Sequence, residues 1–406
     1  MGPIASCTSY RDRLLILFFC IGIAAPLATM RSLPQKDLRA AENRDPAPWP
    51  RASWTWAGLA AFPGEFDAFF NDHFGLRSQM VHFRSLLHVV LLRESPKPNI
   101  VLGKHGWLLT RPEKRLFTDN QLQQWLHVYQ ERQTWLKSRN IRYLLVVAPA
   151  KEDIYPEMLP NRKMRMGANS GREQFLSLLR GNTDIEILDL KPLLLSRKSQ
   201  GRLFYTNDFH WSPLAAFFGY QAIIETVGKW YPSVLPPLPT QDTTQDNLKV
   251  TDGNLARAIA LEDYFVDELP VLGSIPARGA RAIPAPASYY PPEYATPAVI
   301  QDVNNGILHV TVKDDPHLPT AVFFHDSFLM RSRDFYSEHF RRAMYVWNWH
   351  PALKTYWNTA WFNPSIIEAE HPDIFIEFLI TNRIYESVPL NDMRSLIEKP
   401  AGASSR

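Results

Sequence analysis

The chain has 406 residues, 45% of them hydrophobic and 12% aromatic, enough to bury a full core and a second lobe. A formal net charge of +3 is too slight to argue for nucleic acid, and no basic run with interleaved aromatics stands out. Both cysteines, Cys7 and Cys20, lie near the N-terminus, so the globular part has no disulfide, no cysteine metal site and no cysteine nucleophile.

In chain order, Arg11 and Arg13 precede an apolar stretch from Leu14 to Met30 that is interrupted by Pro26. It reads as an N-terminal membrane anchor over residues 1–31. A cleaved signal peptide, processed near Gly22-Ile23-Ala24-Ala25, is the competing reading. The charges that follow, Arg31, Lys36, Arg39 and Arg44, do not support a cytoplasmic N-terminus. Residues 32–95 read as a proline- and charge-rich linker followed by a pair of packing helices. In those helices Phe66, Phe69, Phe70, Phe74, Val81, Phe83, Leu86, Leu87 and Val90 keep helical spacing. Residues 96–395 form the main globular domain, and 396–406 a flexible tail.

The domain alternates between helical and strand patterns. A helix from about Gln121 to Ser138 precedes a near-continuous apolar strand, Ile141 to Val147. Further strands are expected over Ile185–Leu190, Thr320–Phe324, Met344–Trp347 and Ile374–Phe378, with helices over Glu173–Leu179 and Phe328–Phe340. Continuous apolar strands between helices imply an α/β fold, a mainly parallel sheet covered on both faces. Ligands of such sheets bind outside the carboxyl ends of the strands. Between about 231 and 315 the pattern dissolves into a proline-punctuated insertion, expected to hold one helix, Leu255 to Glu262, and extended strands such as Ile307–Val312. Tyr289, Tyr290 and Tyr294 in it stack on sugar rings or pack within the loop; the sequence leaves both open.

Two strings carry chemistry. Ser327, in Phe323-Phe324-His325-Asp326-Ser327-Phe328, sits where a buried strand is expected to turn sharply into a helix. Such a turn exposes the hydroxyl, and the first N–H groups of the helix would face the group it attacks. A serine nucleophile needs a base within reach and a third group to orient that base. Asp208-Phe209-His210 offers both, with Ser212 and Pro213 behind it suited to start a helix. Alternatives remain: Ser327 as a helix cap, Asp208, His210, His325 and Asp326 as metal ligands, and Glu152, Asp153 and Glu157 as solvated or glycosidic carboxylates. Asn348 is a candidate oxyanion donor or a turn residue. No nucleotide-binding loop is present, and no cofactor is implied.

Tyr205-Thr206-Asn207-Asp208-Phe209-His210-Trp211-Ser212-Pro213 resembles the T-D-x-H-W signature of the alginate O-acetylation proteins, a branch of the SGNH hydrolase-like superfamily. His325-Asp326-Ser327-Phe328 is similar to that family's nucleophile turn. Three other stretches agree: Gly103-Lys104-His105-Gly106-Trp107-Leu108, Pro149-Ala150-Lys151 with Tyr155-Pro156-Glu157, and Asp252-Gly253-Asn254-Leu255, where Asn254 replaces the usual acidic residue. The likeness runs from about Glu42 to Tyr385. It implies a three-layer sandwich with circularly permuted motif order, in which Ser327 is the nucleophile, His210 the base and Asp208 its orienter. It further implies O-acetyl transfer to alginate or a similar exported polysaccharide, in the periplasm and anchored to the inner membrane. The acyl donor would be delivered by a membrane acyltransferase. An acetylesterase with the same triad, or a non-catalytic polysaccharide-binding component of a secretion complex, is the alternative.

Overall fold

The structure, a computed structural model, describes residues 10–30, 45–51, 53–112, 116–164, 170–234, 236–237, 245–272, 279–290, 292, 294–303, 306–347 and 362–386. Its contacts divide the chain into two compact units, one running to Leu102 and including Thr251–Val266, the other comprising Gly103–Val250 and the chain from Asp267 onward.

The first unit holds α1 (Tyr10–Ala28), α2 (Trp56–His73) and α3 (Arg77–Leu86). Thr55 caps α2 by accepting the Gly58 N–H at 3.1 Å. The chain breaks between α2 and α3 where Leu76 takes a left-handed conformation, φ 67°. A short helix, Asn254–Ala258, carries part of the fifth family-like stretch and belongs to this unit. His82 Nδ1 on α3 lies 2.8 Å from the carbonyl of Ala260. The membrane anchor expected over residues 1–31 is not supported: among the described residues no helix is long and apolar enough to cross a membrane. The 19 residues of α1 reach about 28 Å, against a hydrocarbon core of about 30 Å. Arg11, Asp12 and Arg13 also occupy its first turn.

In the second unit the strands are β1 (Arg142–Ala148), β2 (Glu186–Asp189), β3 (Gln245–Val250), β4 (Asp267–Leu272), β5 (Arg281–Ile283), β6 (Leu308–Val312), β7 (Thr320–His325), β8 (Arg342–Trp347) and β9 (Ile374–Ile380). Seven of them form a mixed sheet in the order β2-β1-β9-β7-β8-β6-β5. From β2 to β8 every neighbouring pair is parallel. β6 then runs antiparallel to β8, and β5 antiparallel to β6. The 231–315 segment is therefore more than a cover over the sheet, because it supplies the two strands that extend one edge. β3 and β4 make a separate antiparallel pair.

Helices cover both faces. α4 (Asp119–Lys137), with a reciprocal capping box between Thr118 and Gln121, packs with α6 (Gly171–Asn182) on one side. There Trp125, Tyr129, Phe175, Val322, Phe324 and Phe375 form a continuous apolar layer. On the other side α7 (Leu190–Arg197) packs on α8 (Pro213–Trp230), with α9 (Arg333–Ser337) beyond it. The alternation of side chains along each strand divides the two layers. Tyr143, Leu145 and Val147 join the first, while Phe323 packs on Tyr336 and Phe340 in the second. The central strand β7 has a parallel neighbour on each side, and its last residue, His325, lies opposite Trp347 on one side and Phe378 on the other.

One expected element is different. The helix read over Phe328–Phe340 is a 3-10 turn, Leu329–Ser332, followed by the single α-turn of α9. Phe328, Tyr336 and Phe340 keep helix-like spacing because they fill one layer of the core, yet Ser332 leaves helical geometry with ψ near 3°.

A candidate active site built from two strings

Leu203 to Ser212 fold into a tight antiparallel loop. The Ser212 N–H reaches the Leu203 carbonyl at 2.8 Å, the Tyr205 N–H that of His210 at 3.4 Å, and Phe204 bridges Trp211. Ser212 then accepts the Ala215 N–H at 3.3 Å and Pro213 opens α8, so the loop is fixed at a helix mouth. Asp208 and His210 lie at its tip, both buried. One carboxylate oxygen, Asp208 Oδ1, accepts the backbone N–H of His210 at 2.9 Å and lies 2.8 Å from His210 Nδ1. A carboxylate beside Nδ1 assigns the ring proton there and leaves Nε2 as an acceptor. His210 Nε2 faces Ser327 Oγ at 2.8 Å, across 117 residues of chain.

Ser327 is half-buried, its hydroxyl held off the end of β7 by the carboxylate before it. Asp326 Oδ1 accepts the Phe328 N–H at 2.9 Å, and Oδ2 accepts the Ile380 N–H, at the end of β9, at 2.8 Å. Burial pushes the Asp326 carboxyl up, opposed by the charge of Arg383 and by those two donors. The arrangement changes the expected oxyanion donors. The Phe328 N–H, one of the donors expected to face the group under attack, bonds Asp326 instead. Asn348 lies outside the described residues.

The two strings are joined directly. The Trp211 indole N–H donates to the Phe328 carbonyl at 2.8 Å, and its rings pack against Phe328 and Phe378. Gly219 on α8 makes room for it, since a Cβ there would come within 2.9 Å of the Trp211 ring. Phe209 stacks on His210 at 4.1 Å between centroids, and Phe328 lies 5.1 Å from it, giving the imidazole aromatic walls.

Below the loop sits Lys151, at the start of the short helix α5 (Lys151–Ile154) that follows β1. It is only 1% exposed. Its ammonium donates to the carbonyls of Leu108, Thr206 (2.9 Å) and Asp208 (3.0 Å), and lies 5.1 Å from the Trp107 ring centroid. Burial pulls its pKa down to about 7, against the pull of Glu152, Asp208 and Asp267. Glu152 accepts from Thr110 at N (2.6 Å) and Oγ1 (2.8 Å), Asp153 from the Ala150 N–H at 3.0 Å, and Glu157 from Lys198 at 2.6 Å. The Tyr155 hydroxyl accepts the Leu203 N–H at 3.0 Å. Glu152 and Asp153 are thus buried bracing groups, neither solvated charges nor a glycosidic pair.

The four groups weighed as metal ligands do not converge. His325 Nδ1 contacts the Asp326 carbonyl at 2.8 Å, and Asp326 holds two backbone donors. Among the described residues no three His, Cys, Asp or Glu side chains are placed to hold a metal. Burial lowers His325 to about 3, so the ring stays neutral. Tyr289 and Tyr294 pack against the core and Tyr290 is buried within it. Burial and the neighbouring Glu370 carboxylate push the Tyr289 hydroxyl up to about 12. From sequence, Asp326 reads only as a possible metal ligand, and Lys151 and Trp211 only as parts of the family-like stretches. A charge inside an apolar strand end and an acid directly before the candidate nucleophile were the available signals.

A mainly parallel sheet, covered on both faces and carrying Ser327, His210 and Asp208 together beyond the end of its central strand, makes this an α/β protein with its candidate site at the carboxyl ends of the strands. Residues 100–271 match the family model described as the SGNH hydrolase-like domain of acetyltransferase AlgX. That match takes in Asp208 and His210 and stops short of Ser327. The chain is 28% identical over 223 residues to the probable alginate O-acetylase AlgJ of Pseudomonas aeruginosa, covering 54% of this chain and 56% of that one. To the Pseudomonas putida protein of the same name it is 25% identical over 192 residues, covering 47% and 49%. The chain thus spans about half the length of the curated relatives it matches. Over these parts it is similar to the alginate O-acetylation proteins. Its fold is similar to that of Bacillus cereus PatB1 with a sulfonyl adduct, at a TM-score of 0.52 and 15% identity over 72% of this chain and 99% of that one. A DHHW family protein from Eubacterium siraeum gives 0.51 and 12%, over 71% and 96%.

Proposed function

We propose that the chain is an O-acetyltransferase that modifies an exported polysaccharide, alginate or a similar exopolysaccharide, through a serine acyl-enzyme. The observation that carries the reading is His210, whose two ring nitrogens each lie 2.8 Å from their partners, Asp208 Oδ1 and Ser327 Oγ. The names of the relatives support the acetyl group and the alginate acceptor. The reversed order of the strings, with Asp208 and His210 ahead of Ser327, accords with a permuted motif arrangement.

In this mechanism Ser327 Oγ attacks the acyl carbonyl of the donor while His210 Nε2 takes its proton. The imidazolium is stabilised by the Asp208 carboxylate at Nδ1. The tetrahedral oxyanion rests on the Ser327 N–H, a donor of the kind worth roughly 3–4 kcal/mol. Nε2 returns the proton to the departing group, leaving acyl-Ser327. A sugar hydroxyl then gives its proton to Nε2 and attacks the ester, which regenerates the serine and forms the O-acetyl sugar.

Acyl transfer from an aryl acetate ester to a defined uronate oligosaccharide tests the proposal. Ser327→Ala and His210→Ala should each abolish transfer, and the double variant should lose little more, because the groups act as a unit. Asp208→Asn retains an oxygen that can accept both bonds but loses the charge, and should slow turnover by orders of magnitude. Mass spectrometry should find the acetyl group on Ser327. Transfer that survived Ser327→Ala would refute the assignment, and acetyl loss from a pre-acetylated oligosaccharide without transfer would make the chain an esterase.

A further inference from the structure

We propose that Lys151 is a positioning residue for acyl transfer: its ammonium grips the backbone of the loop that carries Asp208 and His210. This rests on the triad reading above. The geometry is specific to that loop. A lysine ammonium has three N–H donors and no acceptor, and here all three meet backbone carbonyls. Two of those carbonyls, Thr206 and Asp208, belong to the loop itself, and the third, Leu108, to a further short strand, Leu108–Thr110. The Thr206 unit is held on its other side too, since its N–H donates to Asp267 Oδ2 at 2.7 Å. Asp267 in turn receives Arg202 at 2.5 Å and the Glu268 N–H at 2.8 Å. The peptide segment leading into Asp208 is therefore clamped between a buried cation and a buried carboxylate.

A hydrophobic side chain would fill the same volume under the loop. It would take one donor from each of the three inward-facing carbonyls, leaving Thr206 with the Leu108 N–H at 2.8 Å, and buried acceptors that lose a donor shift towards new partners. The Asp208 carbonyl is one residue from Phe209 and two from His210, so that movement is transmitted to the imidazole. A displacement of about 1 Å at a catalytic group is worth on the order of a hundredfold in rate.

The test uses the full chain with Lys151→Met and Lys151→Gln, the second keeping two N–H donors. Acylation of Ser327 is followed with an aryl acetate ester, alongside an unfolding curve for each variant. The expected result is a 10- to 100-fold fall in kcat for Lys151→Met with KM for the ester unchanged within twofold. Lys151→Gln should fall between it and wild type, and carries the comparison by itself if the methionine variant does not fold. A role confined to stability predicts activity lost only in proportion to the unfolded fraction, and that result overturns the proposal. Wild-type kcat in either folded variant overturns it as well. Ser327 acetylation is scored in parallel on Ser327→Ala, so failure of the triad reading itself appears there and not in the lysine variants.

Discussion

Replacing Asp326 by asparagine tests what fixes the nucleophile. The carboxylate has two oxygens and two partners, the Phe328 and Ile380 N–H groups, and all four atoms are buried. An amide has a single acceptor oxygen. Whichever way it turns, one buried N–H faces an NH₂ group and loses its partner. A hydrogen bond to a charged acceptor contributes about 1.5–3 kcal/mol, and a stranded buried donor costs about 1–3 kcal/mol. Because part of each figure describes the same loss, Asp326→Asn should destabilise the chain by about 2–4 kcal/mol. Asp326→Ala strands both donors and should cost about 3–6 kcal/mol on the same reckoning. Urea unfolding measures both. Acylation of Ser327 should fall on the order of a hundredfold in the folded asparagine variant, because the turn no longer holds the hydroxyl 2.8 Å from His210. An asparagine variant within about 0.5 kcal/mol of wild type, acylated at the wild-type rate, would show that the turn is held by something other than this carboxylate.

Glu377, fully buried on β9, receives Arg132 at 3.0 Å, Tyr129 at 3.4 Å and the Tyr143 hydroxyl. Glu377→Ala should cost about 3–5 kcal/mol in unfolding, since it leaves a buried charge unpaired. Adding Arg132→Met should recover part of that loss, and strictly additive costs would refute the pairing. His325 bears on pH. Its folded pKa, near 3, lies below the ordinary value of 6.5, so between those limits the unfolded chain binds more protons. Its contribution is present above pH 6.5 and lost as pH falls towards 3. At about 1.4 kcal/mol per pKa unit this is a visible slope, and His325→Gln should flatten it in unfolding titrations run from pH 7 down to pH 4.

The sheet was legible because its strands are buried on both faces. A run such as Leu144-Leu145-Val146-Val147 needs no tertiary information to be read as a central parallel strand. The strings with Asp208, His210 and Ser327 were legible because a nucleophile, a base and an orienter are recognisable residue types at strand and helix ends. What escaped was whatever depends on backbone acceptors. Lys151 looks like one charge among Lys151-Glu152-Asp153, and the carbonyls it binds lie 43, 55 and 57 residues away with no signature in the sequence. The helix after Ser327 was misread because Phe328, Tyr336 and Phe340 satisfy a helical period for reasons of packing. Strand β5 is three residues long and ends against Pro284, too short for any alternation to register.

The Ile380 N–H that completes the Asp326 turn comes from the last strand of the sheet. While the chain is being made, Asp208, His210 and Ser327 have all emerged before that strand exists. The nucleophile strand β7 then lacks its neighbour on one side, and Asp326 lacks its second donor. A chain that stops short of Ile380 lacks that donor, so the Ser327 hydroxyl is set against His210 only once β9 is in place. Truncation between Ser327 and Ile380 should therefore leave a polypeptide with every candidate catalytic residue and no acyl-transfer chemistry.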